Sequence, residues 1–128
     1  MARWDFRDKQ WKRADLEIDR IMKTYNIAKI PCGFSVGPGW LPPLEKMIVK
    51  LKALGWDGKY LAQVKQKFCQ LRVYLDFTTQ AMEEAIRDAE IECNTVCEYC
   101  GKPHGLDVPR SGMALCPECQ EKSDADNS

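Results

Sequence analysis

Four cysteines in the last third of the chain constrain it most. Cys97 and Cys100 form one C-x2-C pair, Cys116 and Cys119 a second, with fifteen residues between the pairs. Two such pairs read as one metal site of the ribbon or treble-clef kind. Each pair sits on a tight turn that can present two thiolates to an ion about 2.3 Å away. Gly101 follows the first pair, where such a turn tolerates positive φ. Four thiolates fill a tetrahedron, so a zinc ion here is structural and has no open position for a catalytic water. Binding energy on the order of 10 kcal/mol would fold a segment with no core of its own. C-x2-C also serves thiol oxidoreductases, but two pairs at this separation argue for the metal.

The chain has 128 residues, enough for one domain with a modest core or for a small domain plus a zinc appendage. No apolar run reaches the roughly 18 residues of a membrane span. The first residues, Met1 to Asp5, are charged and lack the apolar stretch of a secretory signal. Seven cysteines, an odd count with metal spacing, point to a reducing cytoplasm instead of a disulfide framework. The polar end, Ser123 to Ser128, is expected to be disordered. The net charge of zero hides a split: residues 1–30 carry +3, residues 31–76 carry +4 and residues 77–128 carry −7. Either the two halves attract each other in the fold, or each meets a different partner.

Periodicity organises the rest. Trp11, Ala14, Ile18, Ile21, Met22 and Tyr25 recur at helical steps and predict an amphipathic helix over 8–25, with Asp8 as N-cap. Three glycines and two prolines within residues 31–40 predict a loop, pinned to the core by Phe34 and Trp40. No Lys-Ser/Thr pair follows these glycines, so it is not a phosphate loop. Pro42 and Pro43 suit the first turn of a second helix, 42–54, with Leu44, Met47, Ile48, Leu51 and Leu54 inward and Gly55 as its stop. Residues 60–77 admit two readings. Tyr60, Leu61, Val64, Phe68 and Leu71 fit a helix. A hairpin over 62–77, turning at Cys69-Gln70, gathers more apolar residues on one face. It would oppose Ala62 to Phe77, Val64 to Leu75, Gln66 to Val73 and Phe68 to Leu71. Thr78 or Thr79 then caps a third helix, 79–94, with Met82, Ala85, Ile86, Ala89 and Cys93 inward and an acidic outer face.

Little in the sequence offers catalysis. His104, the single histidine, lies in the loop between the cysteine pairs and has no nucleophile beside it in sequence. It reads as a solvated loop residue. A His-Asn-His nuclease needs several histidines, and no Gly-x-Ser-x-Gly, His-Glu-x-x-His or Walker pattern occurs. Cys93 falls in the helix stripe and reads as core, although it stands four residues before Cys97. Cys32 and Cys69 read as buried reduced thiols. The hairpin's outer face is more suggestive. In the predicted register Lys67 opposes Arg72 and Lys65 opposes Tyr74, a basic face with an aromatic, suited to an anionic partner or simply solvated beside the acids of the third helix. Glu83, Glu84 and Asp88 on that third helix form a second candidate surface.

Gly39-Trp40 with Leu41, Pro43 and Leu44, then Gln63-Val64-Lys65-Gln66-Lys67-Phe68, then Leu71-Arg72-Val73-Tyr74, resembles a family of small phage and prophage proteins. Cys97-Glu98-Tyr99-Cys100-Gly101-Lys102-Pro103 is similar to that family's first cysteine knuckle. The likeness spans roughly 33–120, with Cys69 where the family has glycine. It implies a phage accessory protein, of a family without an assigned activity, made in a bacterial cytoplasm.

The sequence therefore predicts an α+β fold: two N-terminal helices, a β-hairpin and a third helix within 1–94, a four-cysteine zinc module over 95–122, and a tail. The expected function is non-enzymatic binding, in which a phage protein inhibits or redirects a host protein or complex, with the acidic surface mimicking nucleic acid as one route. The alternative is a nucleic-acid-binding zinc ribbon using Lys65, Lys67, Arg72 and Tyr74. No membrane and no small-molecule substrate are expected.

Overall fold

A computed structural model describes residues 5–30, 33–67, 70–102, 116–119 and 121–122. Cys32, Cys69, His104 and the tail fall outside these residues, as does the Phe68-Cys69 connection. The side chain of Lys67 is also outside the description. Among the described residues, three long α-helices and a three-stranded sheet make a mixed α+β fold. Among the described residues no helix is long and apolar enough to cross a membrane.

Helix α1 runs Asp5–Thr24. It begins before the expected start, so Asp8 lies within the helix and does not cap it. Ala14, Ile18 and Ile21 are buried, while Trp11, Met22 and Tyr25 pack half-buried at the margin. Asn26 ends the helix at φ 52. Ile27 N–H then bonds to Met22 O at 2.9 Å, the six-to-one bond of a Schellman end, which asparagine tolerates at the left-handed position. Helix α2, Leu41–Ala53, ends the same way. Gly55 adopts φ +103, and Trp56 N–H reaches Leu51 O at 3.0 Å. Leu44, Met47, Ile48 and Leu51 are buried as their spacing requires, whereas Leu54 is 40% exposed.

The glycine-rich loop holds a strand that periodicity did not show. β1, Phe34–Ser35, pairs in parallel with β2, Leu61–Lys67. It is two residues long and leads through a 3-10 turn, Pro38–Trp40, into α2. β2 pairs antiparallel with β3, Gln70–Leu75, and the sheet order is β1-β2-β3. The hairpin is thus real, but its register differs from the expected one. Val64 opposes Val73, Lys65 opposes Arg72, Gln66 opposes Leu71 and Lys67 opposes Gln70. Gln70, expected in the turn, therefore belongs to β3. Every pairing is shifted by two from the expected one, which preserves the face each side chain occupies. Val64, Leu71 and Val73 still point inward and are buried. A bulge between Leu61 and Gln63 then turns Leu61 inward, opposite Leu75. Phe77, expected inside opposite Ala62, is 84% exposed.

Helix α3, Gln80–Asn94, is capped by Thr79, whose side chain accepts from Met82 N–H. Such a cap is worth about 1 kcal/mol. Met82, Ala85, Ile86, Ala89 and Cys93 are all buried against α2 and β3. Glu90, half-buried on α3, faces the Val73 backbone of β3. Burial first, opposed by that contact, holds the Glu90 carboxyl above its ordinary value. Lys46 pairs with Glu92 at 2.8 Å and Lys50 with Asp88 at 3.6 Å. The basic and acidic halves of the chain thus meet across α2 and α3.

Candidate metal centre and recognition face

The end of α3 delivers the first cysteine pair. Cys97 N–H bonds to Lys102 O at 2.9 Å and Gly101 N–H to Cys97 O at 3.0 Å, closing a tight turn in which Gly101 takes φ +77. Cys100 N–H points at Cys97 Sγ (3.5 Å), and in the second turn Cys119 N–H points at Cys116 Sγ (3.4 Å). Amide donors of this kind stabilise sulfur in its thiolate form. The four Sγ atoms lie within 4.8 Å of one another, with Cys100 and Cys116 at 3.7 Å. A tetrahedron with metal–sulfur bonds of about 2.3 Å has edges of about 3.8 Å, so the donor set fits a single ion. Cys97, Cys116 and Cys119 are buried and Cys100 is exposed. Burial, then the charge of Cys97, pushes the Cys119 thiol up, and burial does the same at Cys100. At Cys116 burial also acts upward but is outweighed by hydrogen bonds from Cys119 and Cys100. Crowded thiols of this kind become thiolates only beside a cation. Lys102 and Glu118, 3.2 Å apart, tie the two turns together outside the cluster.

The first turn does not hang free. Gly39 N–H donates to Glu98 O at 2.7 Å, Gly37 N–H to Glu98 Oε2 at 2.9 Å, and Trp40 Nε1–H to Val96 O at 3.2 Å. The Glu98 carboxylate is fully buried at the N-terminal entry to α2, where helix dipoles favour negative charge. The approach is closer than any side chain would allow. A Cβ on Gly39 would strike the Cys97 carbonyl oxygen, and one on Gly37 would lie 2.8 Å from Glu98 Cγ. Tyr99, 1% exposed, meets the Trp11 ring edge-on at 6.5 Å. Gly37-Pro38-Gly39-Trp40 is therefore a cradle for the cysteine turn. The sequence shows its glycines, but their purpose depends on a segment about sixty residues away. Cys93 stays apart from the four cysteines, its thiol turned to Trp40 O at 3.9 Å and pushed up by burial.

The other candidate residues divide between two surfaces. Lys65 and Arg72 oppose each other across the β2–β3 ladder and are both half-buried, while Tyr74, two residues further along β3, is exposed. Arg72 is held by Gln70 Oε1 at 2.7 Å and by Leu71 O at 3.4 Å. Glu83 accepts from the Thr78 hydroxyl, Glu84 is exposed, and Asp88 is engaged by Lys50. Glu83 and Tyr74 line one groove of about 390 Å³ between β3 and α3, whereas Asp88 lines another, with the α2 lysines.

Sequence reasoning missed Tyr60 and Phe77. They meet edge-on at 5.0 Å at the open end of the hairpin, where Asp76 N–H bonds to Tyr60 O. Both have left-handed backbones, φ 68 and 60. For bulky residues that costs roughly 1–3 kcal/mol each, against about 0.5–1.5 kcal/mol from the ring contact. No protein-family profile, curated protein or solved structure matches the chain.

Proposed function

We propose that this chain is a zinc-scaffolded binding protein that works by stoichiometric contact and engages an anionic partner through the outer face of the β2–β3 hairpin. The observation that carries the reading is the direct opposition of Lys65 and Arg72, both half-buried, with the exposed Tyr74 two residues along β3. Like charges placed opposite each other cost a few tenths of a kcal/mol, and an anion lying between them would reverse the sign. The acidic surface of α3 is the weaker candidate, because Lys46 and Lys50 already answer Glu92 and Asp88.

Cys97, Cys100, Cys116 and Cys119 would hold the zinc, whose contribution is to fasten the two cysteine turns together. Four thiolate donors leave no coordination position for a substrate, which favours recognition over turnover. The resemblance to phage and prophage proteins supports an accessory protein that inhibits or redirects a component of a bacterial host, in the bacterial cytoplasm. That component is either an acidic protein surface or a nucleic acid.

The test uses zinc-loaded protein as bait in bacterial lysate, alongside a Lys65→Ala/Arg72→Ala variant. The parent should retain its partner at low salt and release it as salt rises, and the variant should lose it with an unchanged melting midpoint. Equal retention by both proteins refutes the assignment of this face. A variant that fails to fold assigns the two residues a structural role instead.

A further inference from the structure

Two exposed aromatics, Tyr60 and Phe77, meet at the open end of the hairpin, and a third, Tyr74, is exposed further along β3. Tyr60 is 57% exposed, Tyr74 47% and Phe77 84%. Clusters of this kind on an otherwise polar surface mark contact sites. Two of them, Tyr60 and Phe77, are held in left-handed backbone conformations that glycine or asparagine would occupy more easily. Backbone strain of this sort persists when it serves a position. Here the position is not the core, since neither ring is buried. With these backbones Tyr60 lies edge-on to Phe77, and Phe77 stays largely open to solvent.

The charges nearby discriminate between occupants. Arg72 and Tyr74 follow each other on one side of β3 and Asp76 lies just past its end, with Lys65 opposite Arg72 and Gln63 opposite Tyr74. Lys65 has no anionic partner among the described residues. Arg72 and Asp76 are four residues apart, about 13 Å of extended chain, a span suited to a few nucleotides. On the other side the groove toward α3 carries Asp76, Glu83 and Glu90 against one cation, Arg87, a lining that is acidic on balance. A polyanion is therefore better received on the β2 side, over Lys65. A basic track ending in open rings is the arrangement that binds unpaired bases, because every base offers a flat face and the backbone needs only cations. A duplex hides those faces, and an acidic peptide would leave the ring pair unused.

We propose that Tyr60 and Phe77, with Tyr74 and the Lys65–Arg72 pair, form a binding site for single-stranded nucleic acid: bases stack on the rings and phosphate lies between the two cations. The inference rests on the hairpin-face reading above and names its partner.

The experiment is fluorescence anisotropy of a labelled single-stranded homothymidine oligonucleotide with the zinc-loaded full chain, beside a duplex of matched length. The parent should bind the single strand more tightly than the duplex. Phe77→Asn suits the left-handed backbone, so it should keep the melting midpoint and weaken binding about 5- to 150-fold, with the salt slope unchanged. Lys65→Ala should lower that slope by about one. Tyr60→Asn repeats the test from the partner ring. No binding at low salt, equal affinity for the duplex, or full affinity in Phe77→Asn would each overturn the stacking site. If those failures accompany a lysate partner that still depends on Lys65 and Arg72 and survives nuclease, the hairpin face stands and its partner is a protein. If Phe77→Asn lowers stability and leaves affinity intact, the ring pair is structural and the proposal falls.

Discussion

Replacing Gly39 with alanine tests whether the cysteine turn is carried by the glycine cradle. The new methyl would fall on the Cys97 carbonyl oxygen, 2.5 Å from Gly101 N and 2.9 Å from Glu98 C. All three are backbone atoms of one tight turn and cannot rotate away, so the turn must move off α2. The displacement stretches the 2.7 Å bond from Gly39 N–H to Glu98 O and loads the neighbouring bond from Trp40 Nε1–H to Val96 O. Overpacking of this kind costs about 1–3 kcal/mol and a lost buried hydrogen bond about 1 kcal/mol. The expected loss is thus about 2–4 kcal/mol, or roughly 8–16 °C in melting midpoint for a chain of this size. Urea denaturation of zinc-loaded protein gives the first figure, and the rate of metal release to a chelator gives a second, independent one. Gly55→Ala is the control. It also has positive φ but open space around its Cβ, so it should cost about 1–2 kcal/mol from backbone strain alone and leave metal release unchanged. A Gly39→Ala protein with parental stability and parental metal retention would refute the cradle.

Two further outcomes follow from the same contacts. Chelation should expose Tyr99 and shift the fluorescence of Trp11, its edge-on neighbour, to the red. Trp11→Phe should abolish most of the shift, and persistence of the shift in that variant would place the metal-linked change elsewhere. Glu45 is held below the usual carboxylate range, first by hydrogen bonds from Arg20 and then by the Tyr25 hydroxyl. A depressed folded pKa adds stability above the unfolded value and loses it as pH falls through the folded one. The stability curves of Glu45→Gln and its parent should therefore separate at neutral pH and converge in acid, below about pH 4. A constant offset at all pH would remove the link between α1 and α2 from the account.

Local chemistry was legible where the signal is periodic or carried by one residue type. The stripe of α3 from Met82 to Cys93, a threonine cap at 78 or 79, the stop at Gly55 and the grouping of Cys97, Cys100, Cys116 and Cys119 each follow from spacing along the chain, and the structure chose Thr79. The inward and outward faces of β2 and β3 were legible too, because a two-residue period survives a two-residue slip. The register did not follow, since the hydrophobic pattern alone cannot distinguish registers that differ by two.

What the sequence by itself determined, then, is the three helices and the spacing of the four cysteines, since both depend on neighbours a few residues apart. Tertiary structure alone decided the parallel strand at Phe34-Ser35, which is too short to show a period and exists only because β2 offers it an edge. It decided the exposed meeting of Tyr60 and Phe77, seventeen positions apart in the chain. It also decided that Gly37 and Gly39 serve Glu98 and Cys97. Each of these is a contact between distant segments, and its energy depends on a juxtaposition that no local pattern encodes.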